Sequence, residues 1–219
     1  LLFSSFAVLL FSLCFFALVQ PHGSFGVYFA AFLILYQCCS GVALTFSILF
    51  EQSLAALLAL LTILVPANSG ADVIRLMPIW LQFIAVLLIS DLMFWIAHRI
   101  YHAVPFLWRF HRIHHSSEHL DWLAAYRVHP VDQIINATII AAPTLLLGFS
   151  PVALLIYALI YKWHAILLHS NVNVSFGPLN KLIITPSFHH WHHANHPDAF
   201  DRNFGGQLTI WDHMFGTFY

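Results

Sequence analysis

The sequence predicts an all-α protein, a multi-span transmembrane helical bundle with a cytosolic, histidine-rich helical cap. Three observations carry that prediction. Hydrophobic residues fill 60% of the 219 positions, against eight Lys and Arg and nine Asp and Glu, and mean hydropathy is +0.80. Water would not solvate such a surface on a soluble domain of this size. Apolar runs recur at the length of about 20 residues that a helix needs to cross a bilayer. The 16 histidines are twice the Lys and Arg count, and all but His22 lie beyond residue 97.

The first run, residues 1–19, reads as a span of a truncated or processed chain; it lacks the basic leader and small-residue cleavage site of a signal peptide. A second span, 25–50, follows the Pro21-His22-Gly23 break. Residues 54–65 are shorter, fitting a tilted span, a re-entrant helix or a segment packed on its neighbours. "PANSG" at 66–70 reads as a loop, and Pro78, at a first-turn position, opens a span over 79–97. From 98 to 133 no apolar run reaches membrane length. Runs at 134–147 and 152–168, broken by "GFSP", form a membrane hairpin within 134–168. A polar and aromatic segment follows from 169 to 219, punctuated by "FGP", "NHP" and "FGG". The chain thus divides into a hydrophobic region, 1–90, of three to four spans, the last continuing to 97, and a histidine-rich region, 91–219.

A hairpin returns the chain to the side it left, so histidines before and after it emerge on one face. Seven of the eight basic residues (Arg99, Arg109, Arg112, Arg127, Lys162, Lys181, Arg202) lie in or beside that half, and only Arg75 precedes it. The excess of positive charge places this face in the cytosol. A net charge of −1 makes no case for a nucleic-acid partner. Cys14, Cys38 and Cys39 sit in apolar runs without a C-x-x-C pair and read as buried thiols.

Three histidine groups have the spacing of metal ligands. "HRIYH" places His98 and His102 four apart, on one helical face. "HRIHH" holds His111, His114 and His115, and "HHWHH" repeats the same H-x-x-H-H spacing with His189, His192 and His193. Positions i, i+3 and i+4 share a face, so each triplet is expected to present three nitrogens together. His190 should then point away, and His196, preceding Pro197, should fall outside the helix. Interfacial histidines with wet tips are the alternative, but two copies of H-x-x-H-H beside an H-x3-H are far more specific than one pair. Eight imidazoles exceed the four to six ligands of one ion, so two metals are the economical reading. Imidazole suits iron, zinc and copper, and the lack of thiolates argues against structural zinc.

Such a site needs acids nearby to offset its charge. Asp91, Glu118, Asp121, Asp132, Asp198, Asp201 and Asp212 all lie in the histidine half. Asp91 stands out because it lies within a span, seven residues before His98. It is a candidate support for that site, with an ion pair to Arg99 or Arg109 as the competing reading. The tryptophans of this half read as interface anchors, and Asn203 as a turn residue before "FGG".

The stretches "DLMFWIAHRIYH", "LWRFHRIHHSSEHLDWLAAYRVHP", "LLHSNVNVSFGPLNKLIITPSFHHWHH" and "RNFGGQLTIWDHMFGTFY" together resemble the fatty acid hydroxylase superfamily. That group includes sterol desaturases, sterol methyl oxidases and fatty acid 2-hydroxylases. The likeness covers about residues 91–219. It implies a dinuclear, non-haem di-iron site, O2 as co-substrate, and attack on an unactivated C–H bond of a lipid. By the resemblance, the ligands fall on His98, His102, His111, His114, His115, His189, His192 and His193, with His169 of "HSN" as a ninth. It offers His164 as a further candidate ligand, and His129 of "RVHP" as a supporting or structural residue. It also implies an external electron donor of the cytochrome b5, ferredoxin or reductase type; the chain has no G-x-G-x-x-G fingerprint of its own.

Two other classes fit parts of the pattern. A membrane zinc-dependent lipid hydrolase needs about three protein ligands and an open position, leaving most of the clusters redundant. A metal or haem carrier should hold its histidines near mid-membrane, whereas here they begin where the span ends.

Overall fold

The computed structural model describes residues 69–219, which fall within one compact unit, Glu51–Tyr219. The expected spans over 1–19, 25–50 and 54–65, the three cysteines and His22 lie outside the described residues. Among the described residues the fold is helical, with one isolated bridge between Ile183 and Leu208 and no strand. In order, the α-helices are α1 (Ser69–Leu76), α2 (Ile79–Ala103), α3 (Pro105–His111), α4 (Pro130–Leu146), α5 (Pro151–His169), α6 (Pro186–His192) and α7 (Ile210–Phe215). Short 3-10 turns cover His114–Ser116, Trp122–Tyr126, Gly177–Lys181 and Pro197–Ala199.

Proline begins much of this architecture. Pro105, Pro130, Pro151 and Pro186 occupy the first turns of α3, α4, α5 and α6. There the missing N–H costs no helical bond and the ring presets φ. Side chains complete three of these starts: His129 Nδ1 accepts from Val131 N, Ser150 Oγ from Val152 N, and Thr185 Oγ1 from Phe188 N.

The boundaries depart from the sequence reading in three places. The helix expected to stop at 97 runs to Ala103, where Val104, held extended before Pro105, ends it. The first arm of the hairpin starts at Pro130, not 134, because its polar first turn is capped by His129. The loop expected over 66–70 gives way to α1 from Ser69.

α2, α4 and α5 pack around Val86, Phe149 and Tyr157, with Phe83, Ile140 and Leu154 against them. Gln82, buried in the first turn of α2, ties the start of that helix to the hairpin turn: its Nε2 donates to Met77 O, and its Oε1 accepts from Ser150 N. α2 and α5 are long and apolar enough to cross a membrane, and few of their residues are buried. Trp80 of α2 and Leu155, Leu159 and Trp163 of α5 are exposed. The 25 residues of α2 extend about 37 Å, beyond the roughly 30 Å of a hydrocarbon core. A helix of that length is long enough to carry its last turns, with His98 and His102, past such a layer.

Candidate metal centre

Nine histidines from five segments gather at the end of the α2–α5 bundle in two groups. One holds His98, His102, His111, His115 and His192; the other holds His114, His169, His189 and His193. In each group one nitrogen per ring lies within 4.8 Å of the others, so either group could hold a metal ion. The groups share a wall: the rings of His115 and His193 stack with centroids 4.3 Å apart.

Each repeated triplet divides between the groups. His111 and His115 join the first while His114 joins the second; His189 and His193 join the second while His192 joins the first. This corrects the expectation that a triplet presents three nitrogens together. The physical reason in the first triplet is helix termination. α3 ends at His111, and a turn leads into the 3-10 segment that carries His114 and His115. In the second, His189 and His192 lie on α6 and His193 is its αR C-cap. There i and i+4 stay aligned, while the i+3 ring serves the neighbouring group.

The hydrogen bonds select the coordinating nitrogen. His98 Nδ1 lies 2.8 Å from Phe204 O, His192 Nδ1 2.7 Å from Arg202 O, and His169 Nδ1 2.7 Å from Ala165 O. His111 Nδ1 lies 2.7 Å from Asp132 Oδ2, both groups buried. Carbonyls and carboxylates only accept, so each Nδ1 carries the proton and leaves an Nε2 lone pair. In the first group all five Nε2 atoms are buried without a hydrogen-bond partner. A buried polar atom left unpaired costs about 1–3 kcal/mol, a penalty that coordination would remove. In the second group the Nε2 atoms form a chain, His114 to His169 at 3.2 Å, His169 to His189 at 3.0 Å and His189 to His193 at 3.1 Å. Two nitrogens about 2.1 Å from one ion, at right angles, are about 3.0 Å apart. The residues therefore fit a metal in both groups.

Burial also keeps the rings neutral. Desolvation first, then neighbouring imidazoles, hold His114, His115, His189 and His193 well below the ordinary histidine pKa. Burial, against the carbonyl of Arg202, brings His192 down to about 3. Neutral imidazole is the form that binds metal.

The other candidates have different places. His164 Nε2 donates to Ile184 O, outside both groups. His129 caps α4 and packs on Phe110. His196 caps the turn at Pro197–Ala199. Asp91, weighed as a support for the histidines or a partner of Arg99 or Arg109, serves a backbone loop instead. Its Oδ1 accepts from Gln207 N at 2.7 Å, and its Oδ2 from Leu208 N at 3.0 Å and Trp211 Nε1 at 3.1 Å. The Arg99 guanidinium lies over the Trp95 ring. Among the acids of this half, Asp132 is the one that reaches a clustered ring closely; exposed Asp201 stands 3.9 Å from His102.

Sequence reasoning marked a turn at Asn203 and "FGG" but missed that the loop at 201–208 holds two of the rings, through Arg202 O and Phe204 O. Asp201 and Asn203 both adopt positive φ, which short polar side chains tolerate, and they flank Arg202, whose carbonyl meets His192. Asp212 braces the loop from below, accepting from Phe204 N, Gly205 N, Trp95 Nε1 and Thr217 Oγ1. A backbone carbonyl belongs to every residue, so no side-chain signal could single out Arg202 or Phe204.

A groove of about 870 Å³ opens onto this centre, with His102, His115, His192 and His193 in its wall beside Glu118, Asn171, His190 and Asp201. Helices of membrane length that end at two adjoining all-imidazole groups, each able to hold a metal ion, set the character of this site. The family model of fatty acid hydroxylase matches residues 83–217, and the chain belongs to this family. It is 33% identical over 142 residues to an ornithine lipid hydroxylase of Rhizobium tropici, covering 65% of this chain and 43% of that protein. Against the alkylglycerol monooxygenase of Homo sapiens it is 34% identical over 146 residues, 64% of this chain and 31% of the other. The cholesterol 25-hydroxylase of Homo sapiens is 28% identical over 140 residues, 60% and 48%. The match thus spans less than half the length of each of these relatives. No solved structure matches the chain.

Proposed function

We propose that this protein is an integral membrane, non-haem di-iron oxygenase that hydroxylates or desaturates a lipid with O2 and external electrons. The observation that carries the reading is the pair of groups of five and four imidazoles at the end of apolar helices. Five nitrogens exceed the four of a zinc site and suit a six-coordinate ion with one position left for a reactant. Bound iron supplies the activation of O2 that attack on an unactivated C–H bond requires. The nine histidines hold the metals; Asp132 and the carbonyls of Phe204, Arg202 and Ala165 fix the rings that face them.

Hydroxylation balances as one lipid C–H, O2, two electrons and two protons giving an alcohol and water. Desaturation uses the same reductant and releases two waters. The electrons come from a donor of the cytochrome b5, ferredoxin or reductase type. The relatives' names carry an ornithine lipid, an alkylglycerol and cholesterol, so the substrate class is a membrane lipid. The excess of basic residues in the histidine half supports a cytosolic face for the centre.

Metal analysis of protein purified anaerobically from membranes, joined to a lipid assay under ¹⁸O2, tests the reading. Two irons per chain and labelled product are expected. One zinc with O2-independent turnover would instead indicate a lipid hydrolase, and a Soret band a haem carrier. His114→Ala and His192→Ala should each abolish oxidation, while His22→Ala leaves it intact. Equal activity in all three sinks the ligand assignment.

A further inference from the structure

A second cavity, about 540 Å³, lies apart from the nine histidines, between α2, α5 and the C-terminal segment. Its walls include Leu87 of α2, Ile160, Trp163 and Leu167 of α5, and Phe176 and Leu208. Two polar side chains interrupt this lining: His164, whose Nε2 donates to Ile184 O at 2.9 Å, and Gln207, which is left without a partner at its acceptor. Gln207 lines the cavity and is only 4% exposed, and its Oε1 is buried without a hydrogen-bond partner. Its backbone is pinned on both sides, N to Asp91 Oδ1 at 2.7 Å and O from Ile184 N at 2.9 Å. The amide is therefore held at the wall by the fold, at the cost of an unpaired acceptor.

We infer that this groove binds the long apolar chain of a hydroxyl-bearing lipid, with Gln207 as the acceptor for its hydroxyl. The volume lies within the range of small-molecule sites, and a mostly apolar lining with two placed polar groups, His164 and Gln207, fits their pattern. Both α2 and α5 are of membrane length, and Trp163 at the mouth is 71% exposed. A tryptophan so placed suits the headgroup level, where a lipid's polar end would sit as its chain entered sideways. The groove is also adjacent to the centre along the chain. Leu167 lies two residues before His169, and Gln207 three after Phe204, whose carbonyl holds His98. The inference rests on the oxygenase reading only in making this lipid the substrate.

Binding is measured on the full chain in nanodiscs, with a photoactivatable long-chain alcohol competed by 1-hexadecanol or by its methyl ether, which lacks the donor. Labelling should map to the α5 and Leu208 peptides, with the alcohol competing about fivefold better than the ether, the effect of one neutral hydrogen bond. Gln207→Leu should erase that preference and retain ether binding. Ile160→Trp, a partly exposed wall position, should weaken both competitors. Labelling elsewhere, a preference that survives Gln207→Leu, or a groove closed to the probe by the chain's own N-terminal segment overturns the inference. If labelling behaves as expected while ¹⁸O2 incorporation fails, the oxygenase reading falls and the lipid groove stands.

Discussion

The carboxylate of Asp132 is spoken for at both oxygens: Oδ2 takes the His111 ring N–H, and Oδ1 accepts from Asn136 Nδ2 at 3.2 Å. A charged acceptor makes the facing Nε2 a better donor to metal and locks the ring. Asp132→Asn keeps the shape and removes the charge, and should lower metal affinity about 10–100-fold with unchanged helical content. Titration against a competing chelator measures it; wild-type affinity would show that the carboxylate only packs. Gly205 works by absence. A Cβ there would stand 2.6 Å from Leu208 O, a backbone atom that cannot swing aside, whereas at Gly206 the nearest atom, at 2.8 Å, belongs to the Phe94 ring. Gly205→Ala should therefore destabilise the fold by about 1–3 kcal/mol, and more than Gly206→Ala, as read from thermal midpoints. "FGG" was legible as loop punctuation, but the crowding that demands glycine comes from the loop folding Leu208 back on itself and from Ile184 and Asp212 packed against it.

Helix ends decide which ring serves which centre. The spacing of "HRIHH" and "HHWHH" made it legible that these histidines gather, and the i, i+4 pairs do stay together. The division between centres was not legible, because it depends on α3 ending at His111 and on the fold bringing α6 against both groups. Variants should follow space and not sequence. His111 and His192 belong to one group on different helices, whereas His189 and His192 belong to different groups on one helix. Iron content per chain should fall by about one in His111→Ala, in His192→Ala and in the double variant alike. The pair His189→Ala and His192→Ala should lose both ions. Equal losses in the two double variants would contradict the division. The same logic explains the misplaced boundaries of α2 and α4: α2 continues until Pro105 stops it, and Pro130 with its His129 cap starts α4 early, so both helices pass their apolar runs into the turns that carry His98, His102 and Asp132.

The bundle as a whole sets two demands against each other. Apolar faces of α2 and α5 look outward, while the polar groups concentrate at one end, where a cluster of imidazoles is buried away from water. That burial makes folding and proton binding compete. His114, His115, His189, His192 and His193 titrate below the ordinary value of 6.5 in the folded chain, His192 near 3. Unfolded, each binds a proton near 6.5. Above that pH both states are neutral and stability is full. As pH falls below it, the unfolded chain takes up protons that the folded one refuses, so stability declines continuously toward pH 3. Metal bound at the same nitrogens would oppose the decline, since it favours the neutral rings. Unfolding midpoints of metal-free protein in detergent, taken from pH 8 to pH 4, should be level above about 6.5 and drop below it. Loading with iron should move the onset of the drop to lower pH. A midpoint flat across the range would mean that water reaches these rings in solution and that the centre is open.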